Sequence, residues 1–197
     1  MRFALSDDEV CVVELHTSEG VITLELYYRE AVCAAESFLR LAESGQLDGA
    51  MFSRMVPGFV LECSLGDKRA YGELIEAEEN KGLHHTGAGI ISCPRVGGNG
   101  VAGATFFVTL GPQPHLDKTC TVFGRVYSGM RVVEKISQFR VASDTFRLYS
   151  PVVILRCAVR VLPKEQRPPS SLTIPAAAAQ HPPKRCKGRT SVLDGLE

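Results

Sequence analysis

Short apolar runs, rich in β-branched residues and broken by glycine and proline, recur along most of this chain and leave room for little besides a β architecture. Residues 10–16 (VCVVELH) and 20–26 (GVITLEL) alternate in part and are joined by Thr17-Ser18-Glu19-Gly20, which reads as an opening hairpin. Runs at 51–56 (MFSRMV) and 59–63 (FVLEC) flank Pro57-Gly58, a pair that favours a turn. Others follow at 88–93, 104–110 and 120–127, divided by the glycine-rich stretch 95–103, and a last strand is predicted over 152–161 (VVILRCAVRV).

Two stretches keep a helical period instead. Within 29–44, Ala31, Ala34, Ala35, Phe38, Leu41 and Ala42 share one face, Arg29, Glu36, Arg40 and Glu43 lie largely off it, and Gly45 is placed to end the helix. A second helix is predicted at about 130–137 (MRVVEKIS). Many short strands with two intervening helices predict a mainly β fold, a closed or nearly closed barrel capped by helices, the first of them across the barrel mouth.

Of 197 residues, 45% are hydrophobic and 22% charged, which fits one compact domain. After Pro163 the composition turns to proline, serine, alanine and basic residues with too few large apolar side chains for a core, so the domain is expected at 1–163 and a disordered tail at 164–197. Lysine plus arginine equals aspartate plus glutamate, 22 of each, which removes any electrostatic case for nucleic acid or an anionic membrane. From residue 164 onward six basic residues face three acidic ones, so any anion-seeking surface is in the tail, where Pro182-Pro183-Lys184-Arg185-Cys186-Lys187-Gly188-Arg189 reads equally as a nuclear-import signal and as a solvated basic cluster.

Asp7, Asp8 and Glu9 interrupt the N-terminal stretch where a signal peptide needs apolar residues, and no later run suits a membrane span; a cytoplasmic or nuclear location is expected. The seven cysteines are scattered without CxxC spacing, which suits reduced thiols, mostly small core residues. No phosphate loop, HExxH or nucleophile elbow is present. The pair His84-His85 would point to opposite faces of a strand, so a shared metal is not expected, and two ordinary loop or strand-end histidines are the favoured reading.

Arg54 stands out in an otherwise apolar strand, with Phe59 and Glu62 just past the turn. On a shared face of an antiparallel pair, Arg54 and Glu62 would form a charge-assisted contact beside apolar surface; from these residues alone a plain cross-strand ion pair is the simpler reading.

The surrounding words resemble a family. Phe52-Ser53-Arg54-Met55-Val56-Pro57-Gly58-Phe59-Val60-Leu61-Glu62 resembles the cyclophilin motif F-H-R-x-x-P-x-F-x-x-Q. Gly103-Ala104-Thr105-Phe106-Phe107-Val108-Thr109-Leu110 is similar to its G-S-Q-F-F-x-T-x segment, and His115-Leu116-Asp117 with Thr121-Val122-Phe123-Gly124-Arg125-Val126 to W-L-D-G-K-H-x-x-F-G-x-V. The opening GVITLELYYREAV, the link HTGAGIIS and the closing strand agree in order, so the resemblance covers roughly 10–162. It implies an eight-stranded antiparallel barrel with two helices, a peptidyl-prolyl cis–trans isomerase that needs no cofactor and no metal, and proline-containing peptides as partners.

By the same resemblance Arg54 is the catalytic group and Glu62 the residue that orients it, while Phe59, Val60, Phe107 and Leu116 line the pocket for the prolyl ring. Departures from the family pattern bear on rate. Glu62 replaces Gln, Cys120 replaces His, His115 replaces Trp, Thr105 replaces Gln, Ser53 replaces His, and Pro94-Arg95 replace Ala-Asn, whose backbone normally pairs with the peptide. Reduced activity is therefore expected, as is weakened cyclosporin binding, since the resemblance gives that Trp an important contact. The loop after Cys63 is also several residues shorter than the family's. The alternative reading is a proline-peptide-binding scaffold in a larger assembly such as the spliceosome, where cyclophilins of similar layout occur.

Overall fold

Alternation of inward and outward side chains along short strands closes this chain into a barrel. In the computed structural model, residues 6, 8–65, 75–76, 82–96, 100–101 and 105–164 are described. Eight strands form the barrel: β1 (Glu9–Thr17), β2 (Gly20–Leu26), β3 (Met51–Val56), β4 (Val60–Ser64), β6 (Ile90–Val96), β8 (Thr105–Thr109), β9 (Cys120–Ser128) and β10 (Arg147–Pro163). They neighbour one another in the order β6-β8-β4-β3-β10-β1-β2-β9, and β9 pairs back onto β6, so the ring is closed and entirely antiparallel. Two short strands, β5 (Ile75–Glu76) and β7 (Gly100–Val101), extend β6 outside the ring.

Helix α1 (Val32–Glu43) buries the face expected of it: Ala31, Ala34, Ala35, Phe38, Leu41 and Ala42 are all sealed from solvent. Its end follows from Gly45, whose φ of 69° lets Gln46 N–H reach the Leu41 carbonyl at 3.0 Å and Gly45 N–H that of Ala42 at 3.3 Å. Phe38 carries the helix into the core, edge-on to Phe106 at 5.1 Å and tilted against Phe123 at 5.3 Å. The second helix, α2 (Met130–Ser137), coincides with the sequence expectation and seats Val133 and Ile136.

The closing strand departs from expectation. It begins at Arg147 rather than near residue 152, and the five steps along β10 from Arg147 to Val152 match only two steps along β3 from Arg54 to Phe52. Leu148 is buried in that irregular stretch, whereas Tyr149, Ser150 and Pro151 face solvent, so no simple alternation marks it in the sequence. The thiol expectation holds for Cys11, Cys63, Cys93, Cys120 and Cys157, which are free; Cys33 corrects it, being disulfide-bonded. Apart from Lys164, the 164–197 tail lies outside the described residues.

Because Phe38 joins helix and barrel through two aromatic contacts, Phe38→Ala is expected to cost about 3–5 kcal/mol of unfolding free energy in urea denaturation. A loss below about 1 kcal/mol would mean that α1 is not anchored there.

Candidate active site

The position of Arg54 follows from one irregularity in β3. Phe52 pairs with Cys63, and Arg54 pairs with Glu62, so Ser53 is an extra residue with no opposite number. Strict alternation would put Phe52 and Arg54 on one face and Met55 on the other; the bulge lets Phe52 and Met55 both enter the core, at 0% and 1% exposure, and turns Arg54 outward. On β4, Leu61 and Cys63 point inward without any irregularity, leaving Val60 and Glu62 outside.

Across that outer face the register builds a row. Arg147 stands opposite Arg54, Arg54 opposite Glu62, Glu62 opposite Phe107, and Phe107 opposite Ser92. Arg54 Nη1 donates to Glu62 Oε2 at 3.0 Å, with 42% of the arginine side chain and 30% of the glutamate side chain still exposed. The guanidinium is tethered on one side and open on the other.

Beside this pair lies an apolar cluster separate from the barrel core. Val60, Phe107 and Cys120 form its buried floor, and Val56, Phe59 and Leu116 pack against it partly exposed. His115 lies flat on Phe59, with ring centroids 5.5 Å apart and 17° between planes. Its elements are the end of β3, the 57–59 turn, β4, β8, the 3-10 turn Pro114–Lys118 and the first residue of β9. An apolar notch flanked by a half-exposed cation can hold a small apolar ring while a fixed donor addresses a polar atom next to it.

A polar network underpins the wall of that notch. Asp117 Oδ1 accepts from the His85 backbone N–H at 2.8 Å and lies 2.6 Å from His85 Nδ1, while Oδ2 lies 3.0 Å from His84 Nδ1. His85 Nε2 is 3.0 Å from Ser92 Oγ, which in turn donates to the Thr121 carbonyl at 2.9 Å. The fully buried His85 ring also stacks on Phe107, 6.2 Å between centroids. The turn bearing His115 and Leu116 is thus pinned through Asp117 to the segment behind the cluster.

The cyclophilin type peptidyl-prolyl cis-trans isomerase family model matches residues 12–159 of the chain. Peptidyl-prolyl cis-trans isomerase CYP18-2 of Arabidopsis thaliana is 39% identical over 153 residues, covering 75% of this chain and 92% of the relative. Peptidyl-prolyl cis-trans isomerase cypE of Dictyostelium discoideum is 43% identical over 138 residues, covering 67% and 88% respectively. The chain belongs to the cyclophilin family. Its fold also matches the crystal structure of a cyclophilin type peptidyl-prolyl cis-trans isomerase from Cryptosporidium parvum, TM-score 0.71 at 21% identity, over 77% of this chain and 98% of that one. Family membership carries the function with it: this cyclophilin is a peptidyl-prolyl cis–trans isomerase.

The residues singled out from sequence fall into three groups in this cyclophilin. Arg54 and Glu62 meet, and Phe59, Val60, Phe107, His115, Leu116 and Cys120 gather beside them. Pro94 stands opposite Cys120, and Arg95 is held to the segment 118–121 through its N–H to Thr119 O, its Nε to Thr121 Oγ1 and its Nη1 to Lys118 O. Thr105 stands opposite Ser64, two residues from Phe107 on the same face. Val56 was not singled out, although it packs on the cluster, because a valine in a strand reads as core. The His85–Asp117 contact was also missed; two adjacent histidines do suggest opposite faces, but they sit in a loop that wraps one carboxylate. No group of three potential ligands suitable for a metal occurs among the described residues.

Burial raises the Cys120 thiol above its ordinary value, keeping it protonated and making it apolar wall rather than nucleophile. Burial lowers the His85 pKa from 6.5, with Asp117 opposing in part. Asp117 is pushed up by burial but more strongly down by its hydrogen bonds from His85 and His84, ending below 3.8. Between its folded value and 6.5, His85 binds fewer protons folded than unfolded, so its contribution is complete above that window and declines as pH falls through it. The Asp117 contribution is lost at lower pH still, below 3.8. Histidine-resolved NMR should find His85 titrating below 6.5, with the urea midpoint falling from about pH 7 to about pH 5. A His85 that protonates at or above 6.5 would contradict the buried geometry.

Proposed function

We propose that the notch beside Arg54 is where this cyclophilin rotates X–Pro bonds, at a rate reduced by the residues that surround it. The observation that carries the reading is an arginine held at one nitrogen, open at the rest, and adjacent to an apolar cluster that contributes nothing to the barrel core. Rotation must break amide resonance, a barrier of about 18–20 kcal/mol. Catalysis then needs a surface that binds the twisted amide better than either planar form. The prolyl ring seats on Val60, Phe107 and Leu116, with Phe59 and Cys120 at its sides, and the Arg54 guanidinium donates to the prolyl nitrogen. That lone pair becomes available only as conjugation is lost, so the contact strengthens at the transition state. A solved structure of the Cryptosporidium parvum cyclophilin was obtained in the presence of the dipeptide Ala-Pro, which supports a proline peptide as the occupant.

Three substitutions work against rate. Glu62 holds Arg54 as a counter-ion where a neutral amide would only orient it. Pro94 supplies no N–H to an incoming peptide backbone. Arg95 is occupied with the segment 118–121. The Arg54–Glu62 pair is exposed enough that loosening it costs about 0.2–1 kcal/mol, a tax of a few fold and not an abolition. The scaffold reading, a proline-peptide dock in an assembly such as the spliceosome, draws on the same substitutions and on no separate surface, and a nuclear address would rest on the basic cluster at 184–189.

Exchange NMR on an Ala-Pro peptide is expected to show acceleration over buffer that falls about 100-fold or more in Arg54→Ala and rises about threefold in Glu62→Gln. No acceleration at micromolar protein, or turnover indifferent to Arg54→Ala, would leave only the scaffold. The small His115 ring on Phe59 is also expected to weaken cyclosporin, so His115→Trp should tighten it in calorimetry; an unchanged affinity would remove His115 from that surface.

A further inference from the structure

The outer row contains a second arginine that the isomerase chemistry does not use. Arg147 stands directly opposite Arg54 on the neighbouring strand, and directly opposed residues of an antiparallel pair share a face. It is exposed, and no ion pair among the described residues engages it. The backbone that delivers it is unusual. Phe146, immediately before it, has a φ of 55° and is the only non-glycine described residue with positive φ. That left-handed conformation is clamped on both sides: Phe146 N–H donates to the Ala142 carbonyl at 2.9 Å, and the Phe146 carbonyl accepts from Met55 N–H at 2.9 Å. Such strain, about 1–3 kcal/mol, persists only where surrounding contacts enforce it, and it concentrates at functional sites. Here one of the two enforcing contacts is with Met55, the residue next to Arg54.

We infer that Arg147 is a specificity-determining residue that favours substrates bearing an anionic side chain, a carboxylate or a phosphate, within about three residues of the proline. Two guanidiniums face one carboxylate on these three adjacent strands, so after Glu62 has paired with Arg54 a full positive charge remains on the Arg147 side. Strands lie about 4.8 Å apart and an extended peptide advances about 3.3 Å per residue. Arg147 is three strands from Phe107, so with the reach of its own side chain it meets a peptide side chain two or three residues from a proline seated on Phe107. Arg95, across the notch, is fixed on the segment 118–121 through Thr121 Oγ1 and the Lys118 carbonyl, on the side away from Arg147.

The location rests on the isomerase reading, and the test separates the two. A peptide series with Glu, phosphoserine, Ala or Lys placed one to three residues to either side of an Ala-Pro bond is measured twice, for affinity by chemical-shift titration and for turnover by exchange NMR. In the wild-type chain Glu and phosphoserine peptides are expected to bind about threefold or more tightly than Ala, and Lys more weakly, with the spread shrinking as salt shortens the screening length to a few ångströms. The order is expected to flatten in Arg147→Ala and to reverse in Arg147→Glu. A phosphoserine peptide well ahead of Glu identifies phosphate as the preferred anion; equal affinities identify charge alone. No charge preference in the wild type, no binding of any peptide, or the same order in wild type and Arg147→Glu overturns the inference. If affinities reverse while no peptide is turned over, the isomerase site fails and the role of Arg147 stands; if all peptides turn over equally well in every variant, the reverse holds.

Discussion

A single unpaired residue, Ser53, sets the phase of the strand on which the site depends. The interior needs both Phe52 and Met55, which alternation forbids at a spacing of three. Inserting one residue satisfies the core on both sides of the bulge, and the outward face then receives Arg54 opposite Glu62. The hydrophobic demand of the barrel is what presents the guanidinium. A one-residue slip in this pairing would bury the arginine or expose Phe52, so the register is fixed by burial well before any ligand is considered.

The apolar surface beside Arg54 is stacked on the outside of the same strands whose inner faces make the core. Phe106 and Val108 point into the barrel while Phe107 points out, and Leu61 and Cys63 point in while Val60 and Glu62 point out. Fold and site therefore draw on alternate residues of the same segments. The outward set can change without opening a cavity beneath it, which is how a carboxylate at 62, a thiol at 120 and an imidazole at 115 coexist with an intact barrel. The exception is the wall formed by the 3-10 turn, which has no strand behind it and is held through the Asp117 carboxylate to His85 and His84.

Elements with strong periodicity were legible in the sequence: the opening hairpin, both helices, the buried face of α1 and most barrel strands fall where the pattern puts them. Legibility failed where a side chain's direction is decided by a partner distant in sequence. Arg147 opens a stretch in which five steps along β10 match two along β3, and no local pattern reports such an irregularity. His85 read as unremarkable because its meaning comes from a carboxylate 32 positions away. Val60 and Phe107 are apolar and buried like core residues, and only the register, which places them on the outer face, separates them from the core. The Arg54–Glu62 contact was readable from spacing, whereas the members of the apolar cluster it borders came only from the family resemblance.

Charge on the outer row ties two features together. Like charges directly opposite each other on neighbouring strands destabilise the pair, so Arg147 beside Arg54 is unfavourable by itself. Glu62 on the far side of Arg54 offsets that repulsion by drawing the guanidinium toward itself, 3.0 Å away and away from Arg147. A neutral amide at position 62 would orient Arg54 but leave two uncompensated cations on adjacent strands. The carboxylate that, in the proposed mechanism, weakens the field offered to a prolyl nitrogen is also the group that makes a second arginine tolerable there. The pair is half exposed, so both effects are modest, on the order of 1 kcal/mol or less. Arg54, its counter-ion Glu62 and the second cation Arg147 form one coupled unit, in which a change at 62 alters the charge around position 147 and a change at 147 alters how firmly Glu62 holds Arg54.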